Sequence, residues 1–179
     1  MIKAQLVGSK LIVFEVSDAK AIFSNGFFGK PVGVKKPKTT EIDSPLELSL
    51  VEGMYLFESG VISVEYMGKV LSLEEFRSIG STRIVNFEDL YHVYKELRKE
   101  GFVVRSGLKY GADFAVYRLR PGLEHAPYLV KVVRFDSNVD PGDLVGWGRL
   151  SHSVRKKLLI AVIYPNKEIN YIMFKWFKP

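Results

Sequence analysis

The sequence predicts an α+β protein of two mixed halves, each a small sheet with helices packed against it. Three observations carry this. Apolar runs of strand length alternate with segments whose apolar residues recur at helical spacing, and turn and capping residues separate the two kinds. One late run, residues 158–163, is apolar on both faces, as a strand inside a sheet must be. The length of 179 residues suits one domain or two small ones, with no internal repeat or low-complexity tract. The halves are expected to meet within residues 78–85, giving domains at 1–82 and 83–179.

Each element has a local reason. Leu6-Val7 and residues 11–16 flank Gly8-Ser9-Lys10 and read as a hairpin. Ser17 is placed to cap a short helix through Ala21, Ile22 and Phe23, ended by Gly26. Residues 29–38 are rich in Gly, Pro and Lys without a period, and read as a basic loop. Ser44-Pro45 is expected to open a helix carrying Leu48, Val51, Tyr55 and Leu56. A strand is expected over residues 61–66, then a short helix begun by the capping box of Ser72 and Glu75. In the second half Asn86 caps a helix with Leu90, Val93, Tyr94 and Leu97 on one face, and Gly101 stops it. Strands are expected over 102–105, 113–118, 128–135, 158–164 and 171–177. Between the third and fourth, Asp140-Pro141 starts a helix with Leu144, Trp147 and Leu150.

Composition removes whole classes of function. Lysine and arginine number 26 against 20 acidic residues, a net charge of +6, and 47% of residues are hydrophobic, enough to bury a core. There is no Cys, which excludes disulfides, thiolate catalysis and Cys-type zinc sites. The longest apolar run, residues 158–164, is about a third of the ~20 residues a membrane span needs. Residues 1–5 lack a signal pattern, so a cytoplasmic protein without a membrane partner is expected. Gln5 is the only Gln, a composition that suits a hot cytoplasm. A pI near 9.4 points toward polyanionic partners.

Few residues are left to carry chemistry. His92 falls within a predicted helix and reads as a surface or interface residue, and His152 as either a cap-region residue or an RNA contact. His125 lies in residues 120–127, a loop between two strands, where functional side chains often sit and where a pKa near 6.5 suits proton transfer. A metal-dependent nuclease would need an acid on one strand and an acid-x-Lys on the next. Asp113 could be the first acid, but the position two before Lys131 is Leu129, so no metal and no cofactor are expected. Residues 107–111 lack the spacing of a phosphate-binding loop, and no hydrolase nucleophile elbow is present. Tyr, His and Lys remain, and those three suffice for one reaction, cleavage of RNA by its own 2′-hydroxyl.

Three blocks then carry a resemblance: Ser106-Gly107-Leu108-Lys109-Tyr110-Gly111-Ala112-Asp113-Phe114-Ala115-Val116-Tyr117, Glu124-His125-Ala126-Pro127-Tyr128-Leu129-Val130 and Ser151-His152-Ser153-Val154-Arg155-Lys156-Lys157. Together with Gly26-Phe27-Phe28-Gly29-Lys30-Pro31 and Leu48-Ser49-Leu50-Val51-Glu52-Gly53, they resemble the archaeal tRNA-splicing endonucleases over nearly the whole chain. The resemblance implies a C-terminal nuclease-like (restriction-endonuclease-like) α/β domain with a central mixed sheet. It implies a tRNA-intron lyase that cuts precursor tRNA at a bulge-helix-bulge, leaving a 2′,3′-cyclic phosphate and a 5′-hydroxyl. By position, the general base falls on Tyr117, the general acid on His125 and the transition-state cation on Lys156. An unperturbed phenol near pKa 10 must be lowered by a cation such as Lys156, or Tyr117 only positions the 2′-hydroxyl. Arg149 matches an arginine that stacks on bulge bases in a neighbouring subunit's site, and Trp176 a second stacking residue. Asp136, Asp140 and Asp143 match an acidic loop that docks on another subunit. The loop from Pro31 to Ser44, with Lys35, Lys36 and Lys38 as candidate RNA contacts, resembles a form found in chains that pair with a distinct non-catalytic subunit. An α₂β₂ heterotetramer is therefore expected over a homo-oligomer. The rival reading is a non-catalytic RNA-binding or structural subunit of the same assembly, which would need none of Tyr117, His125 and Lys156.

Overall fold

In the N-terminal half, strand alternation and two capping boxes place most elements. The computed structural model describes residues 1–35, 37, 39–119, 121 and 124–174, and separates into two units, Met1–Tyr91 and His92–Pro179. The first unit runs β1 (Ile2–Val7), β2 (Lys10–Val13), α1 (Val16–Ser24), β3 (Lys30–Pro31), β4 (Leu46–Ser49), α2 (Leu50–Glu58), β5 (Ile62–Tyr66), β6 (Lys69–Val70) and α3 (Leu73–Arg83). These strands form one sheet in the order β3-β4-β2-β1-β5-β6, antiparallel except where β1 lies parallel to β5. Ala4, Leu11, Val13, Leu46, Leu48, Met54 and Phe76 are buried in this unit. Full burial of a side chain of Leu, Met or Phe size contributes about 1.5–3 kcal/mol.

Two expectations are corrected here. Residues 46–49 form a strand, not the first turn of a helix, because Leu46 and Leu48 alternate into the core while pairing with β2. The helix starts only at Leu50, where the Ser49 hydroxyl accepts from the Glu52 amide and the Glu52 carboxylate accepts from the Ser49 amide. That capping box satisfies two amides the first turn leaves open, a stronger start signal than Ser44-Pro45. The start of α1 is capped at Glu15 without a side-chain bond, and the Ser17 hydroxyl donates to the Glu15 carboxylate instead. The box at Ser72 and Glu75 begins α3 as expected.

The helix α4 (Phe87–Lys99) crosses the division between the units. After it come β7 (Val103–Ser106), a single 3₁₀ turn (Leu108–Tyr110), β8 (Phe114–Tyr117), β9 (Tyr128–Arg134), α5 (Pro141–Ser153), β10 (Lys157–Ile163) and β11 (Ile169–Phe174). The sheet order is β11-β10-β9-β8-β7, antiparallel except between β9 and β10. The parallel pair needs a crossover, and α5 supplies it. Within this unit, Tyr94 of α4 packs on Phe114 of β8, with ring centroids 5.8 Å apart. Trp147 of α5 packs on the opposite face, against the buried cluster of Ala112, Ala115, Ala126, Leu129, Leu158 and Ile160. His92 donates from Nε2 to the Lys167 carbonyl (2.7 Å), which ties the β10–β11 turn to α4. No helix among the described residues is long and apolar enough to cross a membrane.

Candidate active site

Register decides which side chains of the C-terminal unit meet. Val116 pairs with Tyr128 on β9, and Tyr128 pairs with Lys157 on β10. One step further along the same three strands stand Tyr117, Pro127 and Lys156. Successive side chains alternate between faces, so Tyr117 and Lys156 share one face at one end of the sheet, the face that α5 covers. The other face at this end receives Tyr128 and Lys157. His125 is exposed on the loop leading into β9, one residue before the carbonyl that anchors Lys156.

Lys156 is held by its backbone and by its side chain. At the end of α5 the Lys156 amide donates to the Ser151 carbonyl (2.9 Å) and the Arg155 amide to the His152 carbonyl (3.1 Å), a Schellman closure. Arg155 takes the left-handed position, φ 53°, where glycine is usual. That conformation costs about 1–2 kcal/mol for a residue with a Cβ. The Lys157 amide then donates to the Pro127 carbonyl (3.0 Å), so the chain enters β10 with no slack. The half-buried Lys156 ammonium donates to the Ala126 carbonyl at 2.6 Å and lies 5.3 Å from the centroid of the Tyr110 ring. Lys109 places its ammonium 4.7 Å from the same centroid.

Tyr117 sits half-buried at the end of β8, packed against the buried cluster. Its phenol is pushed above the ordinary range, first by burial and next by the neighbouring Tyr110 phenol. Arg105 and Lys109 oppose this, and Glu124 adds to it. This is the opposite of the lowering that a general base requires.

The other candidate residues are placed more simply. Asp113 accepts from the Val132 amide (2.7 Å) and pairs with Lys131 (3.7 Å), whose ammonium also lies 5.5 Å from the Trp147 ring centroid. Its carboxylate thus locks β8 to β9. Among the described residues no three His, Asp or Glu side chains gather as a cation site. Arg149 is exposed on α5. Asp136, Asp140 and Asp143 are exposed after β9, and Asp140 caps α5 by accepting from the Gly142 amide (2.6 Å). Lys35 is exposed, while Lys36, Lys38 and Trp176 lie outside the described residues. Tyr110, common neighbour of Lys156 and Tyr117, lies inside the first resembling block, but the resemblance gives it no role. Its sequence signal is an aromatic residue between two turn glycines just ahead of the strand that ends in Tyr117.

Comparison with known proteins matches both halves. The family described as tRNA intron endonuclease, N-terminal domain, matches residues 2–77, and that described as tRNA intron endonuclease, catalytic C-terminal domain, matches residues 87–171. The chain is 50% identical to a tRNA-splicing endonuclease of Saccharolobus solfataricus over 99% of this chain and 100% of that protein. It is 51% identical to one of Saccharolobus islandicus with the same coverage. A third, from Hyperthermus butylicus, is 49% identical over the full length of both. The chain belongs to the tRNA intron endonuclease family, with its N-terminal and catalytic domains both present.

Proposed function

We propose that this family member is a catalytic subunit that cuts precursor tRNA at bulge-helix-bulge splice sites, without a metal ion, through Tyr117, His125 and Lys156. One observation carries the reading: the strand registers set Tyr117 and Lys156 on one face at one sheet end, with His125 on the loop beside the carbonyl that holds Lys156. In this mechanism the 2′-oxygen attacks the adjacent phosphorus in line and the bond to the 5′-oxygen breaks. His125 gives its proton to that leaving oxygen, which ends as a 5′-hydroxyl. The Lys156 ammonium stabilises the charge that gathers on the phosphoryl oxygens. The raised Tyr117 phenol supports a positioning role over a base. Its oxygen accepts a hydrogen bond from the 2′-hydroxyl and aims it, and the 2′-proton leaves to water as the new bond closes the 2′,3′-cyclic phosphate. A tethered and aimed nucleophile supplies much of the rate by itself.

An intron has two cut sites at a fixed separation, so two active subunits in one symmetric assembly fit the task. Arg149 then stacks on a bulge base in a neighbouring site, the acidic residues Asp136, Asp140 and Asp143 dock on another subunit, and an α₂β₂ complex with a non-catalytic partner is the arrangement we favour. Lys35, Lys36 and Lys38 contact the RNA backbone in this reading, and Trp176 stacks on a base. The chain works in the cytoplasm.

The deciding experiment is cleavage of a bulge-helix-bulge RNA in EDTA, with end-group analysis. Cyclic phosphate and 5′-hydroxyl ends are expected, and a 2′-deoxy nucleotide at the cut should leave the RNA bound but intact. Cutting of the deoxy substrate, or a requirement for a divalent ion, would sink the mechanism. For assembly, Arg149→Ala and Lys156→Ala chains mixed before assembly should together restore cutting at one site per complex. Mixed complexes that form and stay inactive would place Arg149 outside the neighbour's site.

A further inference from the structure

We propose that Tyr110 is a positioning residue of this reaction: its ring is the platform that holds the Lys156 ammonium in place for the scissile phosphate. This rests on Lys156 being the transition-state cation. The Lys156 ammonium has three N–H donors, and the Ala126 carbonyl takes one. The Tyr110 ring, 5.3 Å away, attracts the charge through its π face without consuming a donor or neutralising the charge. A carboxylate in that place would cancel the charge the phosphoryl oxygens need. Among the described residues, a carbonyl on one side and a ring on another leave donors for an anion.

The ring is itself well anchored. It packs against the buried cluster that also supports Tyr117 and Trp147, so it is half-buried and not a solvated tyrosine. The turn beneath it is closed by three bonds, from the Tyr110 amide to the Gly107 carbonyl (2.8 Å), from Gly111 to Leu108 (2.9 Å) and from Ala112 to Gly107 (3.2 Å). Two glycines let this turn lie where it does. A Cβ on Gly107 would come within 2.7 Å of the Phe114 carbonyl carbon, and Gly111 holds φ 68°. The turn is thus wedged against the start of the strand that ends in Tyr117. Lys109, 4.7 Å from the same ring centroid, is a second cation on the platform. The influence of the Tyr110 phenol on Tyr117 sets the platform beside the residue that aims the nucleophile as well.

The test is single-turnover cleavage of a bulge-helix-bulge RNA by the assembled enzyme carrying Tyr110→Phe, Tyr110→Leu, Lys156→Ala, or Tyr110→Leu with Lys156→Ala. RNA affinity is measured in parallel. Phe keeps the ring and should hold the rate within about 3-fold, whereas Leu should lower it about 10-fold at unchanged affinity, the scale of a desolvated cation–π contact. The double variant should be no slower than Lys156→Ala alone, because the platform acts only through that lysine. Wild-type rate for Leu, equal loss for Phe and Leu, or a full further 10-fold loss in the double variant would each overturn the proposal. An active Lys156→Ala enzyme would overturn the catalytic reading itself, a separate failure. Should Tyr110→Leu not fold, the Lys156 Hε resonances of the wild-type protein decide: a ring-current upfield shift is expected, and random-coil positions would refute the platform.

Discussion

Several lysines of the two units are held by different kinds of partner. In the N-terminal unit Lys3, Lys10, Lys20 and Lys69 pair with the carboxylates of Glu65, Glu47, Glu41 and Glu75. In the C-terminal unit Lys109 and Lys156 lie against the Tyr110 ring, and Lys157 with Arg118 against the Tyr128 ring. Lys131, away from the candidate site, combines both partners, Asp113 and Trp147. A carboxylate partner neutralises a lysine, whereas an aromatic partner restrains it and leaves the full charge to act outward. The first arrangement suits a scaffold, and the second suits a surface that meets phosphate.

The largest effects should come from the candidate site. His125→Ala should lower the single-turnover rate about 10²–10⁴-fold with little change in RNA affinity, since an acid acts in the transition state and not in binding. Affinity that weakens in proportion would make His125 a contact residue. Next, the double variant Arg118→Ala with Lys157→Ala tests whether ring-held cations face phosphate. Each lost contact should reduce the slope of log affinity against log salt by about 0.7–0.9. Lys10→Ala, which removes a carboxylate-paired lysine, should leave that slope alone and change stability by less than about 1 kcal/mol. A slope change for Lys10 equal to that of the ring-held pair would erase the distinction between the units.

Alkaline stability offers a finer probe. The folded phenol of Tyr117 is raised above its unfolded value near 10, so folding holds its proton more tightly than the unfolded chain does. The stability this provides is fully present below about pH 10 and is lost as pH climbs toward the folded value. Tyr117→Phe should therefore lose less stability than wild type between pH 10 and 11 in denaturant titrations. Parallel curves would mean that the phenol is not perturbed. The smallest effect concerns Arg155. Glycine there relieves the left-handed strain at φ 53° but adds unfolded-state freedom, a net gain of about 0.5–1 kcal/mol readable as a higher denaturation midpoint. A loss would show that the Arg155 side chain holds the turn.

Much of the architecture follows from local rules that need no partner in space. The turn at Gly8-Ser9, the box at Ser72 and Glu75, the start of α5 at Asp140-Pro141 and the strands β7 to β10 stand where periodicity and turn chemistry put them. The second hairpin strand ends at Val13, short of the expected residue 16, and β11 begins at Ile169, before the expected residue 171, while residues 175–177 lie outside the described residues. Residues 46–49 failed that reasoning because one stretch of leucines satisfies both periods. Leu48, Val51 and Tyr55 fit a helix, while Leu46 and Leu48 also alternate as a strand, and pairing with β2 chose the strand. The Ser-x-x-Glu spacing of Ser49 and Glu52 was the signal along the chain that put the helix start after this strand.

By itself, then, the sequence determined the residue types, the blocks in which Tyr117, His125 and Lys156 occur, and the local signals that start and stop most helices. Tertiary structure decided what surrounds those three. Only the pairing of β8 with β9 and of β9 with β10 sets Tyr117 and Lys156 on a common face, because facing depends on register between strands far apart in the chain. Only packing shows that the Tyr117 phenol is raised, since burial and the nearness of Tyr110 are properties of the fold and not of either residue. The anchoring of Lys156 by the carbonyl of Ala126 and the ring of Tyr110 has the same origin: side chains and carbonyls meet there across three chain segments that have no contiguous sequence to record it.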